Sequence, residues 1–254
     1  MKKLLTICMA LLLVASLFAG CAKDKSDWET IKDNGKLVVG ITNYAPMDYP
    51  DENGEWTGFD AELARMVCKE LSLEVEFLEI DWNSKIMELN AGTIDCAWNG
   101  MTLTDEVLSS MECTKPYILN SQVVVMAADA AYTDLSALTV AVEAGSAGAG
   151  VASEMEVGKL NEVETQSAAL MEVAAGTSDA CIIDRTMADA MTGEGTSYEA
   201  LGVAAVLTDE EYGIGFRKGS EMAAKVDEIL DGYRADGTLQ ALADKYGLAL
   251  ADAE

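Results

Sequence analysis

The stretch LEVEFLEIDWNSKIMELNAGTIDCAWNG, Leu73 to Gly100, decides how the rest of the chain is read. Leu73 to Ile80 alternates apolar and acidic residues, the pattern of a strand with one covered face. Trp82 to Leu89 follows with apolar residues at helical spacing. Thr93 to Gly100 is then a short apolar run that ends in Asn-Gly, a strand passing into a loop. Strand, helix and strand in quick succession form the repeating unit of a parallel sheet with crossover helices.

The same alternation extends outward. Upstream, Leu37 to Thr42 (LVVGIT) is a β-branched strand, and Phe59 to Leu71 carries apolar residues at helical spacing. Downstream, Ser121 to Asp129 is a strand. Leu138 to Gly150 is a strand that ends in a glycine-rich turn, with a helical pattern after it. Ser167 to Ala175 is helical, and Asp179 to Met191 is a strand passing into a helix. Glu211 to Gly219 is a last strand, and Ala223 to Tyr246 holds two helices split near Gly237. The fold class is α/β.

The chain opens with Lys2 and Lys3, then a mostly apolar run from Leu4 to Phe18 that is too short and wrongly flanked to span a bilayer. Residues 1–20 read as a secretory signal. Phe18-Ala19-Gly20-Cys21 looks like a bacterial lipobox, with Phe18 where leucine is commoner. On that reading Cys21 receives lipid, residues 21–27 are the lipidated N-terminus and tether, and the protein sits on the extracellular face of the cell membrane. The plainer alternative is a cleaved signal with an incidental cysteine. No other segment is long or apolar enough to cross a membrane, so lipid is the expected membrane contact.

The formal charge is -27, and -29 once Lys2 and Lys3 are removed with the signal. A surface this acidic repels nucleic acid and anionic membrane, which excludes DNA and RNA as partners. There is no histidine, which removes the Ser-His-Asp and Cys-His nucleophile systems and most zinc sites. Neither metal nor cofactor is expected. Cys68, Cys96, Cys113 and Cys181 form no C-x-x-C pair and lie in helical or apolar strand-like contexts, so free thiols are favoured over disulfides.

Two loops carry candidate chemistry. Gly145-Ser-Ala-Gly-Ala-Gly150, between a strand and a helix, can offer N–H groups to an anion. It lacks the Gly-Lys-Ser/Thr of a phosphate loop, so a carboxylate-binding turn or a plain tight turn remains. Asp184 ends a strand-like run, where open α/β sheets place ligands, and an acid there can hold an ammonium group. Position alone allows equally a capping aspartate or one paired with Arg185.

Several motifs occur in order: LVVGITNYAPMDY, GEWTGFDAELARMVCKEL, IDCAWNGMTLT, KPYILNSQVVV, VAVEAGS, DACIIDRTMA and YGIGFRKGSE. Together they resemble the amino-acid-type solute-binding proteins of bacterial ABC importers, the extracellular solute-binding protein family 3, over about Trp28 to Leu248. The resemblance implies a two-lobed periplasmic-binding-protein type II fold with two hinge strands, a monomer that closes on its ligand. It implies a first lobe at residues 28–118 plus 213–254, a second at 127–208, and crossings at 119–126 and 207–212. It implies delivery of the ligand to separate permease and ATPase subunits, since this chain supplies neither a pore nor hydrolysis. By position, Tyr44 and Trp82 match the aromatics that sandwich the ligand. Gly100 and Thr102 match residues that meet its carboxylate through backbone and hydroxyl. Ser146 would add donors from the second lobe, and Asp184 matches the acid that binds the α-ammonium.

One position departs. Family members usually show T-x-x-R where this chain has Thr104-Asp105-Glu106-Val107, and the missing arginine is the partner of the ligand's carboxylate. Valine has no charge and no side-chain donor. The lost charge-assisted bond is worth about 1.5–3 kcal/mol. Three answers are open. The ligand lacks a carboxylate, and a cation lies between Tyr44 and Trp82 facing Asp184, with Glu143 as a second negative charge. Or an amino acid is held by Thr102, Ser146 and backbone donors. Or Arg185 or Arg217 reaches in, which is disfavoured because Arg185 adjoins Asp184 and Arg217 lies beyond the hinge. An inactive protein, with Val107 merely packing at the rim, is also open. The residues lean weakly to an amine or other cationic ligand over an ordinary amino acid. Two rival functions remain: a dehydratase-like enzyme on the same fold using Glu143, for which no catalysis is otherwise indicated, and a ligand sensor for a separate receptor.

Overall fold

The computed structural model describes residues 25–132 and 134–252. The signal, Cys21 and the tether as far as Asp24 lie outside the described residues. A helix at Asp27–Asn34 opens the fold, held by a capping box in which Ser26 and Glu29 satisfy each other's backbone N–H. Such a cap contributes about 1 kcal/mol. Then come β1 (Lys36–Ile41), the short hairpin β2 (Tyr49–Pro50) and β3 (Trp56–Thr57), a helix at Phe59–Glu70 and β4 (Glu74–Glu79). A single 3-10 turn at Trp82–Ser84 leads into a helix at Lys85–Ala91, followed by β5 (Cys96–Thr102), a short helix at Asp105–Ser110, β6 (Met111–Cys113) and β7 (Ile118–Asn120).

The second unit runs β8 (Gln122–Ala127), β9 (Thr139–Glu143), a helix at Ala147–Glu154, β10 (Lys159–Val163), a helix at Gln166–Ala175, β11 (Ala180–Asp184), a helix at Arg185–Met191 and β12 (Leu201–Val206). The chain then returns through β13 (Glu210–Arg217) and ends in helices at Met222–Ala235 and Thr238–Tyr246.

Two sheets result. The first has the order β4-β1-β5-β13-β6, with β7 also on β13, and the second β10-β9-β11-β8-β12. In the first, β4, β1 and β5 are parallel and β13 is antiparallel to β5. The chain changes sheets at Ser121, between β7 and β8, and again across Leu207–Asp209, between β12 and β13.

Burial explains which strands the sequence revealed. The central strands β5 and β11 are buried along their length and read as apolar runs. β4 lies at the sheet edge, and its alternation of half-buried and exposed residues is the pattern seen in Leu73 to Ile80. The edge strands of the second sheet, β10 (KLNEV) and β12 (LGVAAV), carry no such signal in the sequence. Trp82 to Leu89 is helical as expected, but it starts in 3-10 form because the Asp81 side chain accepts from the Asn83 N–H and tightens the turn. The four cysteines Cys68, Cys96, Cys113 and Cys181 are free, and all but Cys113 are buried.

Candidate functional site

The C-terminal ends of β5, β9 and β11 and the N-terminus of the Ala147–Glu154 helix converge on a cleft of about 340 Å³ between the two sheets. All eight residues singled out in the sequence line it: Tyr44, Trp82, Gly100, Thr102, Val107, Glu143, Ser146 and Asp184. No single element brings them together; they come from strands, helical segments and loops far apart in sequence.

Asp184 is at its centre. It ends β11 and precedes a helix, yet its side chain caps nothing. Arg185 points to Asp189 at 3.2 Å and stays exposed. The capping and Arg185-paired alternatives are thereby excluded. Instead Asp184 Oδ1 accepts from Asn120 Nδ2 (2.5 Å) and Gln122 Nε2 (2.7 Å), and Oδ2 accepts from Gln166 Nε2. Gln166 Oε1 in turn receives the Asp184 N–H at 2.8 Å. Burial pushes the Asp184 carboxyl up to about 6, and the charge of Glu210 adds to this, against the opposing pull of its amide donors.

Glu210 escaped the sequence reading. It sits at the start of β13, among three successive acids that nothing in the sequence distinguishes. In the structure it accepts from Thr102 Oγ1 (3.0 Å), Gln122 Nε2 (3.0 Å) and Asn120 Nδ2 (3.2 Å). Asn120 and Gln122 thus bridge two carboxylates, and this cluster straddles the point where the chain changes sheets.

The aromatics bracket the cleft differently from each other. Trp82 is buried, with the Lys85 ammonium 5.0 Å from its ring centroid. Tyr44 also lines the cleft, with its hydroxyl engaged by Thr186 and Tyr212, one from each unit. The backbone of Gly100 departs from expectation: its N–H donates to buried Asp60 at 2.6 Å and is not free for a ligand carboxylate. At Gly100, φ is +57° and an added Cβ would lie 2.6 Å from the Tyr44 ring, so only glycine lets the ring approach. The Thr102 hydroxyl proton is likewise directed at Glu210.

Glu143, at the end of β9, is buried with Oε1 lacking any protein partner. Burial pushes its carboxyl up to about 8, with the Asp184 charge in the same direction and Lys85 opposing. Burial thus favours the protonated form and works against the second negative charge anticipated there. Ser146 caps the Ala147–Glu154 helix, its hydroxyl accepting from the Ala149 N–H at 3.1 Å.

Val107 lines the cleft and is itself buried. It is buried in one cluster with Trp82, Leu89, Ile94, Ala97, Met101 and Met111. Neither arginine compensates for it. Arg217 is locked to Asp27 (2.5 Å) and Asp95 (2.9 Å) and donates to the Ile94 carbonyl at 2.7 Å. The basic residue that does line the cleft is Lys85, which helical patterning presents as an ordinary surface lysine. Against it the lining holds Asp105, Glu106, Glu143, Glu154, Asp184 and Glu210. Among the described residues there is no cluster suited to a metal ion, and no helix is long and apolar enough to cross a membrane.

Two α/β units joined by paired crossings, with buried polar groups converging between them, define a two-lobed solute-binding fold. The chain belongs to the bacterial extracellular solute-binding proteins, family 3, which it matches over residues 37–249. It is 30% identical over 97% of its length to the probable amino-acid-binding protein YxeM of Bacillus subtilis, covering 95% of that protein. It is 28% identical over 97% of its length to the arginine-binding extracellular protein ArtP of the same organism, covering 98% of it. The crystal structure of an ancestral amino acid-binding protein, a precursor of cyclohexadienyl dehydratase, superposes with a TM-score of 0.79 at 30% identity, over 87% of this chain and 99% of that one.

Proposed function

We propose that this protein captures a small ligand bearing an ammonium group, an amino acid or an amine, in the cleft between its lobes and delivers it to an ABC importer. The observation that carries the ligand class is the Asp184–Glu210 pair. Two carboxylates, Asp184 buried and Glu210 half-buried, are held together by Asn120 and Gln122, at a cost in repulsion that a bound cation relieves. Permease and ATPase subunits are separate partners, lipid on Cys21 holds the protein at the extracellular face, and the protein works as a monomer. The lobes comprise residues 28–118 with 213–254, and 127–208, hinged at the crossings. Amino-acid-binding relatives support capture over catalysis.

Isothermal titration of residues 22–254 against the common L-amino acids and, in parallel, their decarboxylated amines, polyamines and quaternary ammonium compounds tests this. Micromolar or tighter binding within either panel is the expected result. Silence across both refutes it. An enzymatic reading rests on one feature, the proton on Glu143 near neutrality, a general-acid property. Turnover of a bound ligand, followed by NMR over hours, would establish it; an unchanged ligand spectrum is expected.

A further inference from the structure

We propose that Lys85 supplies the cation missing at position 107, reaching the cleft from a different helix, and that the natural ligand therefore carries a carboxylate as well as an ammonium group. This rests on the capture function above and deepens it.

Lys85 opens the Lys85–Ala91 helix and is buried to more than nine-tenths, unusual for a lysine. Its ammonium crosses to the second lobe and donates to the Gly145 carbonyl at 2.8 Å, with a weaker contact to Trp82 O at 3.3 Å. An ammonium has three donors, and two are engaged. Among the described residues no carboxylate lies within ion-pair distance of it. It is thus a desolvated charge with an open donor in a ligand cleft, an arrangement that costs free energy unless an anion completes it. The acids that act on it from a distance are Glu106, Glu143 and Asp81.

Its position suits a carboxylate. Gly145 immediately precedes Ser146, the cap of the Ala147–Glu154 helix, so the ammonium is bonded one residue ahead of that helix's N-terminal cap. Trp82 is common to both positions: Lys85 stands over its ring, and Val107 shares its apolar cluster. The cleft then has two poles, Lys85 with the helix N-terminus for a carboxylate, and Asp184 with Glu210 for an ammonium.

The test pairs K85Q and K85R with matched ligands: L-arginine against agmatine, L-histidine against histamine, and each further amino acid that binds against its own decarboxylated amine. Glutamine retains donors for Gly145 O but no charge. The wild type should bind at least one amino acid 10-fold or more tighter than its amine. K85Q should lose 10- to 100-fold on the amino acid and change the amine by less than 2-fold, and K85R should restore most of the loss. Equal losses on both ligands would reduce Lys85 to a closing latch and overturn the proposal, as would a wild type that prefers amines. Binding of neither panel would overturn the capture function itself. Unchanged melting temperatures of the ligand-free variants exclude misfolding as the cause.

Discussion

Replacing Asp184 with asparagine separates what the carboxylate does for the ligand from what it costs the fold. Asp184 is buried, and its carboxyl stands at about 6 instead of 3.8. A group raised in this way stabilises the fold fully below 3.8, and that contribution is lost as pH rises through 6. At about 1.4 kcal/mol per pH unit, the loss amounts to about 3 kcal/mol at pH 7 and above. D184N cannot ionise and escapes it. The asparagine amide does oppose one donor, because both Asp184 oxygens now accept, but this penalty does not vary with pH. Asn120 and Gln122 keep Glu210 as an acceptor in the variant. The stability of ligand-free D184N relative to wild type should therefore improve by up to about 3 kcal/mol between pH 4 and pH 7. Over the same change the ligand loses a charge-assisted partner, a 10- to 100-fold drop in affinity. Urea denaturation at several pH values and titration calorimetry at pH 7 measure the two halves. A stability difference that stays flat with pH, or an affinity that does not fall, would refute this account of Asp184.

Three further outcomes follow from the same geometry. Wild-type stability should fall as pH rises from 4.5 through about 8 on account of Glu143, and E143Q should remove that part of the slope in denaturant titrations. Gly145 adopts φ +70°, and an added Cβ would lie 2.6 Å from Asn83 Cα in the other lobe, so G145A should hold the lobes apart. Calorimetry should then show a loss of ligand affinity of 10-fold or more, with a larger radius by small-angle scattering in the presence of ligand. R217M leaves Asp27 and Asp95 without their partner, far from the cleft, and should cost about 2–4 kcal/mol in chemical denaturation while leaving affinity unchanged.

Local chemistry fixed much of this protein before any coordinates. Hydrophobic period separated the strands from the helices, because central strands such as β5 are buried almost throughout and amphipathic helices such as Phe59–Glu70 bury one stripe. Motif order placed Tyr44, Trp82, Gly100, Thr102, Val107, Glu143, Ser146 and Asp184 on one cleft, and the folded chain gathers them there. What remained hidden depends on contacts between residues far apart in sequence. Glu210 is one acid among three until β13 sets it against Thr102, Asn120 and Gln122. Lys85 reads as solvated until the folded chain sets it against Gly145, sixty residues on. The Gly100 N–H looks available until Asp60, buried on the Phe59–Glu70 helix, takes it. Glu143 is counted as a charge until burial, which favours its protonated form, pushes its carboxyl up to about 8. Residue type and spacing report which groups a chain owns. Desolvation and partnership, which decide their charge and availability, arise only when distant segments exclude water together.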